Sequence, residues 1–172
     1  MKILSLKTLV LLAVISFFSC SKGSSDKADY YVKLKIDGNW ITWKVVTGEL
    51  GADLADASKT DFGITANNDA MKDVFDISIQ VTGSIFNTGT YESDSPNYLA
   101  LVSYAKDVGT GNSKYFDIED APTGAPSKYT INVNSITSTT LRGTFTGNYL
   151  LHSNSGEIMN LTEGEFFVQR IR

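Results

Sequence analysis

One cysteine, one histidine and a few closely spaced carboxylates are the residues of this chain whose types and spacing could do chemistry. Cys20 is the only cysteine among 172 residues, and it stands directly behind an apolar run, Leu9 to Phe18, that follows Lys2 and Lys7. A thiol with no partner in an exported chain cannot form a disulfide within it. A positive start, an apolar stretch too short to span a bilayer and a small residue, Ser19, before the cut describe a secretory leader. A cysteine at that boundary reads as a bacterial lipoprotein box, with Phe17 where the pattern usually carries Leu. The expectation is a signal peptide over residues 1–19 and an acylated Cys20 as the new N-terminus; the alternative is an ordinary secreted protein with a free thiol. Each buried methylene contributes roughly 0.8 kcal/mol, so two or three acyl chains anchor firmly where one would not.

His152 is the only histidine, between Leu151 and Ser153 in what reads as a loop. It is the one candidate base for a Ser-His-Asp triad, and no G-x-S-x-G elbow accompanies it. A solvated loop histidine is the plainer reading. One histidine and a lipidated cysteine cannot build a tetrahedral zinc site. Glu163 and Glu165 flank Gly164 and on a strand would share a face, as a glycosidase-like pair or as a solvated sheet edge. Asp53, Asp56 and Asp61 cluster in one irregular stretch, but without the D-x-[DN]-x-[DN]-G order of a calcium loop. Gly109-Thr110-Gly111 lacks the G-K-[ST] of a phosphate loop. The expectation is therefore no catalytic residue, no metal and no cofactor.

Removing 19 residues from 172 leaves 153, a comfortable single domain. Two of the fifteen basic residues leave with the leader, so thirteen face nineteen acidic residues, a net charge of −6. Such a balance offers no basic patch to nucleic acid and no polybasic stretch to anionic lipid. At 42% hydrophobic content, burial must stabilise the domain without disulfides.

The elements that would position these residues are strands. Residues 20–29 are small, polar and charged, a flexible tether, and a single all-β domain is expected over residues 30–172. Val32, Leu34 and Ile36 alternate with Lys33 and Lys35, and Asp37-Gly38 gives a strong hairpin signal before Trp40, Ile41, Trp43, Val45 and Val46. Gly48 to Ser58 is ambiguous, with a helical turn at Ala-Asp-Leu-Ala-Asp-Ala as one reading. Phe75, Ile77, Ile79 and Val81 form the cleanest alternation. Further extended pieces run over 61–66, 89–91, 98–104, 115–118, 129–133, 141–149 and 165–171, with a turn between Pro122 and Pro126. Nine to eleven short strands without an amphipathic helix specify a mainly antiparallel β-sandwich, with a closed or partly open barrel as the alternative. Gly143 and Gly147 would mark a bend between sheets or a barrel corner.

A two-residue turn at Asp37-Gly38 pairs Ile36 with Asn39, Lys35 with Trp40, Leu34 with Ile41 and Val32 with Trp43. One face then gathers Val32, Leu34, Ile36, Ile41, Trp43 and Val45 as core. The other gathers Tyr31, Lys33, Lys35, Trp40, Thr42 and Lys44 toward water. Trp40 and Tyr31 become a candidate aromatic platform for a sugar ring, or rings that merely cover lysine stems beside Lys35.

The S-C ending of the leader, K-I-D-G near the domain start, G-T-Y at 89–91, L-R-G-T-F at 141–145 and L-T-E-G-E-F at 161–166 occur together. This combination resembles small lipoproteins of Bacteroidota-type bacteria, domains of about this size that are generally uncharacterised. The resemblance implies a β-domain anchored in the cell envelope, at the outer membrane, and supplies no catalytic residue. Ser21-Lys22-Gly23 lacks the acidic pair of a surface-export signal, so the membrane leaflet is left open. The functional expectation is a non-catalytic binding or accessory module for a glycan or protein ligand. An envelope assembly protein is the alternative, ahead of a carboxylate-dependent hydrolase.

Overall fold

The structure is a computed structural model describing residues 29–118, 126–152 and 154–172. The leader, Cys20 and all of the tether but Asp29 lie outside the described residues, as does most of the Pro122 to Pro126 turn. Thirteen strands form two antiparallel sheets and no helix occurs among the described residues: the fold is a β-sandwich. In chain order they are β1 (Tyr31–Ile36), β2 (Asn39–Trp43), β3 (Val45–Ala52), β4 (Lys59–Asn67), β5 (Val74–Thr82), β6 (Gly89–Glu92), β7 (Tyr98–Lys106), β8 (Lys114–Asp117), β9 (Tyr129–Ile136), β10 (Thr140–Gly147), β11 (Leu150–His152), β12 (Glu157–Met159) and β13 (Leu161–Gln169). The six-stranded sheet runs β2-β1-β13-β10-β9-β6, and the seven-stranded sheet runs β12-β11-β8-β7-β5-β4-β3.

The first hairpin has the expected register, Ile36 opposite Asn39 through Val32 opposite Trp43. Asp37 and Gly38 both take positive φ, 47° and 82°, the primed turn whose twist matches that of the strands. Trp43 is accordingly buried and Trp40 half-exposed. Alternation carries the rest: Phe62, Ile64 and Ala66 on β4, Phe75, Ile77 and Ile79 on β5, and Tyr129, Ile131 and Val133 on β9 all face the core. Between the sheets Phe75 stacks on Phe145 at 5.1 Å and Phe62 meets Phe166 at 6.0 Å.

Several expectations are corrected. Val45 is exposed, because the strand breaks at Lys44 and changes sheet, shifting the inward phase to Val46, Gly48 and Leu50. Gly48 to Ala52 is strand, and the Ala-Asp-Leu-Ala-Asp-Ala segment at 52–57 leaves it as bends and a turn, not a helical turn, with Asp53 accepting the amides of Ala55 and Asp56. His152 ends a strand, and Tyr149 lies beyond β10, whose chain crosses to the other sheet at Leu150. The last strand begins at Leu161 and occupies the interior of its sheet between β1 and β10, so Glu163 and Glu165 are on no edge.

Gly143 lies inside β10 beside a register shift and marks no corner, whereas Gly147 ends β10 just before the chain bends and crosses to the other sheet. Gly143 stands opposite Phe166, Phe145 opposite Gly164, and Gly147 opposite Tyr129. Each ring lies across the glycine backbone facing it: a Cβ on Gly143 would come within 2.9 Å of Phe166 Cε1, and one on Gly147 within 2.6 Å of Tyr129 Cζ. The G-T-F and G-E-F segments thus clasp reciprocally, glycine against phenylalanine in both directions.

Candidate functional site

Pairing of alternating strands aims one side chain in two at solvent on the outer face of the six-stranded sheet. The registers align these in rows. One row is Trp40, Lys35, Glu163, Thr146, Thr130 and Glu92; the next is Thr42, Lys33, Glu165, Thr144, Asn132 and Thr90. A third holds Tyr31, Phe167, Arg142 and Ser135.

Two hollows open on this face and share Thr144 and Glu165, which are cross-strand partners. The first, about 330 Å³, lies between Trp40, Lys33, Thr146 and Glu163. The second, about 390 Å³, lies between Tyr31, Arg142, Asn134 and Ser135. The second owes its shape to a β-bulge. Arg142 pairs with Ser135 and Gly143 with Val133, so Asn134 is the extra residue. A bulge re-aims side chains and strengthens local twist, which turns the Asn134-Ser135 pair to the rim of the hollow.

The electrostatics of the two hollows differ. At the first, Lys35 Nζ donates to Glu163 at 2.9 Å, a half-exposed ion pair of modest worth. Lys33 Nζ lies 4.4 Å from the Trp40 ring centroid, nearer than Lys35 at 5.8 Å, so one face of the indole carries a lysine rather than standing bare. Tyr31 lines the other hollow; burial first, then the charge and hydrogen bonding of Glu165, push its phenol above the ordinary value. Arg142 lies 6.0 Å from the Phe167 ring.

The remaining sequence candidates lie away from this face or apart from the two hollows. His152 Nδ1 faces the Tyr115 carbonyl at 2.9 Å, while the Ser113 hydroxyl donates to the carbonyls of Asp107 and Thr110. Both line a hollow of about 480 Å³ with Lys106, Asp107 and Lys114. Lys106 and Lys114 sit opposite each other there, but Asp107 and the Lys114–Glu157 ion pair offset their charge. Asp53 and Asp61 both accept from Gln80, and Asp56 from Ser58; hydrogen bonds to backbone amides and to Ser58 hold Asp53 and Asp56 below the ordinary carboxylate range. No group of three or more potential metal ligands forms among the described residues.

Trp40 and Tyr31 do share one outer face, but one falls at each hollow rather than on a single platform. Arg142, Asn134 and Thr144 were not singled out from the sequence. A polar outward position in L-R-G-T-F looks like any solvated strand residue until its register and the bulge beside it are known.

The geometry defines a class: an antiparallel β-sandwich with two adjoining polar and aromatic hollows on one sheet face. Compared with protein-family models, curated proteins and solved structures, the chain matches none.

Proposed function

We propose that this chain is an exported, lipid-anchored protein of the bacterial envelope, held at the outer membrane through Cys20, whose sandwich is a non-catalytic binding module. Its ligand surface is the outer face of the six-stranded sheet. The observation that carries the reading is the pair of adjoining hollows sharing Thr144 and Glu165, each with an aromatic wall, Trp40 at one and Tyr31 at the other. Aromatic faces beside carboxylates, hydroxyls and an amide suit a sugar chain, whose rings have apolar faces and hydroxylated edges. The anchor reading rests on the placement of Cys20 behind the apolar run.

Full-length protein in detergent, titrated with neutral and acidic oligosaccharides, tests the reading. Binding that Trp40→Ala or Thr144→Arg weakens supports it; binding indifferent to both overturns it. An envelope assembly role has its own observation in favour: Leu99, Leu101, Tyr115 and Ile158 are exposed on the outer side of the seven-stranded sheet and suit a protein partner. A hydrolase draws less support, since Glu163 is tied to Lys35.

A further inference from the structure

The chain has three arginines, and the structure treats them differently. Arg170 donates to the carbonyls of Leu50, Thr137 and Arg172. Arg172 lies 3.8 Å from Glu49. Arg142 has neither: among the described residues no carboxylate lies within 4.0 Å of it and no acceptor takes its protons, while the Phe167 ring lies 6.0 Å away and Tyr31 and Glu165 share its hollow. Yet Arg142 lines the hollow of about 390 Å³, beside the bulged Asn134, Ser135 and Thr144.

A guanidinium presents five donors in a planar fork and takes carboxylate or sulfate oxygens two at a time. The Phe167 ring, with its centroid 6.0 Å away, borders such a fork without using its donors. Asn134, Ser135 and Thr144 add hydroxyl and amide groups around the same volume. Glu165, on the strand between Arg142 and Tyr31, and the Tyr31 hydroxyl complete the lining and suit sugar hydroxyls. The neighbouring hollow is lined by one cation, Lys33, whose ammonium lies over the indole and has no planar fork to take two oxygens at once.

Resting on the ligand surface proposed above, we infer that the Arg142 hollow is a subsite for an anionic substituent of a sugar, a carboxylate or a sulfate, while the adjoining Trp40 hollow takes a neutral ring. The ligand is then an acidic oligosaccharide lying across β10 and β13. A uronate fits the planar fork face to face; a sulfate ester offers the same oxygens in a tetrahedral arrangement.

With three arginines, selective ¹⁵N-arginine labelling of the full-length protein in detergent gives three side-chain Nε–H signals. They are followed while galacturonate, galactose and galactose 6-sulfate are added in turn. The expected result is a saturable shift of the Arg142 signal with an acidic sugar, no shift with galactose, and affinity reduced roughly tenfold or more in Arg142→Gln. A response to galacturonate alone assigns the carboxylate, and one to galactose 6-sulfate alone assigns the sulfate. Equal shifts from galactose overturn the anionic subsite while leaving a sugar-binding face. Shifts centred on Arg170 or Arg172 also overturn it. If neither monosaccharides nor oligosaccharides move any signal of this sheet, the binding face itself falls with it.

Discussion

Replacing Gly164 by alanine tests the clasp that fixes β10 against β13. A Cβ at that position would lie 2.5 Å from the Lys33 carbonyl oxygen and 2.6 Å from Phe145 Cε1. Neither neighbour gives easily. The carbonyl belongs to β1, the next strand of the sheet, and Phe145 is fully buried and stacked on Phe75. Overpacking of this kind costs about 1–3 kcal/mol. The lost freedom of the unfolded chain offsets roughly 0.4–1 kcal/mol of that. The net expectation is about 1–2 kcal/mol of destabilisation, or some 2–8 °C in melting temperature for a chain of this length. Gly63 is the internal control: its nearest neighbours to an added Cβ are 4.0 Å away and its φ is not positive. Gly63→Ala should be neutral or stabilise by up to about 1 kcal/mol. Urea denaturation of residues 29–172 followed by Trp43 emission reads both. Equal midpoints for the two variants, or a Gly164→Ala protein as stable as wild type, would refute the clasp.

Trp43→Ala should cost about 3–5 kcal/mol by emptying a packed site, whereas Trp40→Ala should cost roughly 0.5–1 kcal/mol through its lysine contact, both measured by urea titration. Burial raises the Asp76 carboxyl above the ordinary value, with the Thr65 hydroxyl opposing it at 2.7 Å. The folded state therefore holds that proton more tightly than the unfolded chain, and stability falls as pH rises from the unfolded value through the folded one. Asp76→Asn, which keeps an acceptor for Thr65, should gain stability over wild type at neutral pH and lose that gain near pH 3.5, below both values; equal gains at both pH values would refute the assignment. Cys20→Ala should abolish incorporation of labelled fatty acid and release the protein from membranes, and a variant labelled like wild type would end the anchor reading.

How much of this was legible in the sequence depended on whether the signal was local. Asp37-Gly38 carries its own register, because a two-residue primed turn determines every pair that follows, and Val74 to Thr82 announces its buried face by simple alternation. Val45 was misassigned because extrapolating alternation past Lys44 assumes the strand stays in one sheet. Glu163 and Glu165 read as a pair or a solvated edge and not as interior, since that placement depends on pairing between β13 and β1, more than a hundred residues away. Gly143, Gly147 and Gly164 were visible as motif glycines, but their partners emerge only from the register. The candidate site was half legible: Tyr31 and Trp40 followed from the hairpin, whereas Arg142 and Asn134 depend on a bulge, which exists only as a mismatch between two strands.

Trp40 is also the natural reporter for the ligand face, because Trp43 is 7% exposed and Trp40 48% exposed. Iodide quenching of the full-length protein in detergent, with and without an acidic oligosaccharide, tests that face most directly. Occupation of the hollows should shield Trp40 and lower its quenching in a saturable way, with no such change in Trp40→Phe. Saturable binding that leaves the quenching of Trp40 untouched would place the ligand elsewhere and contradict the account.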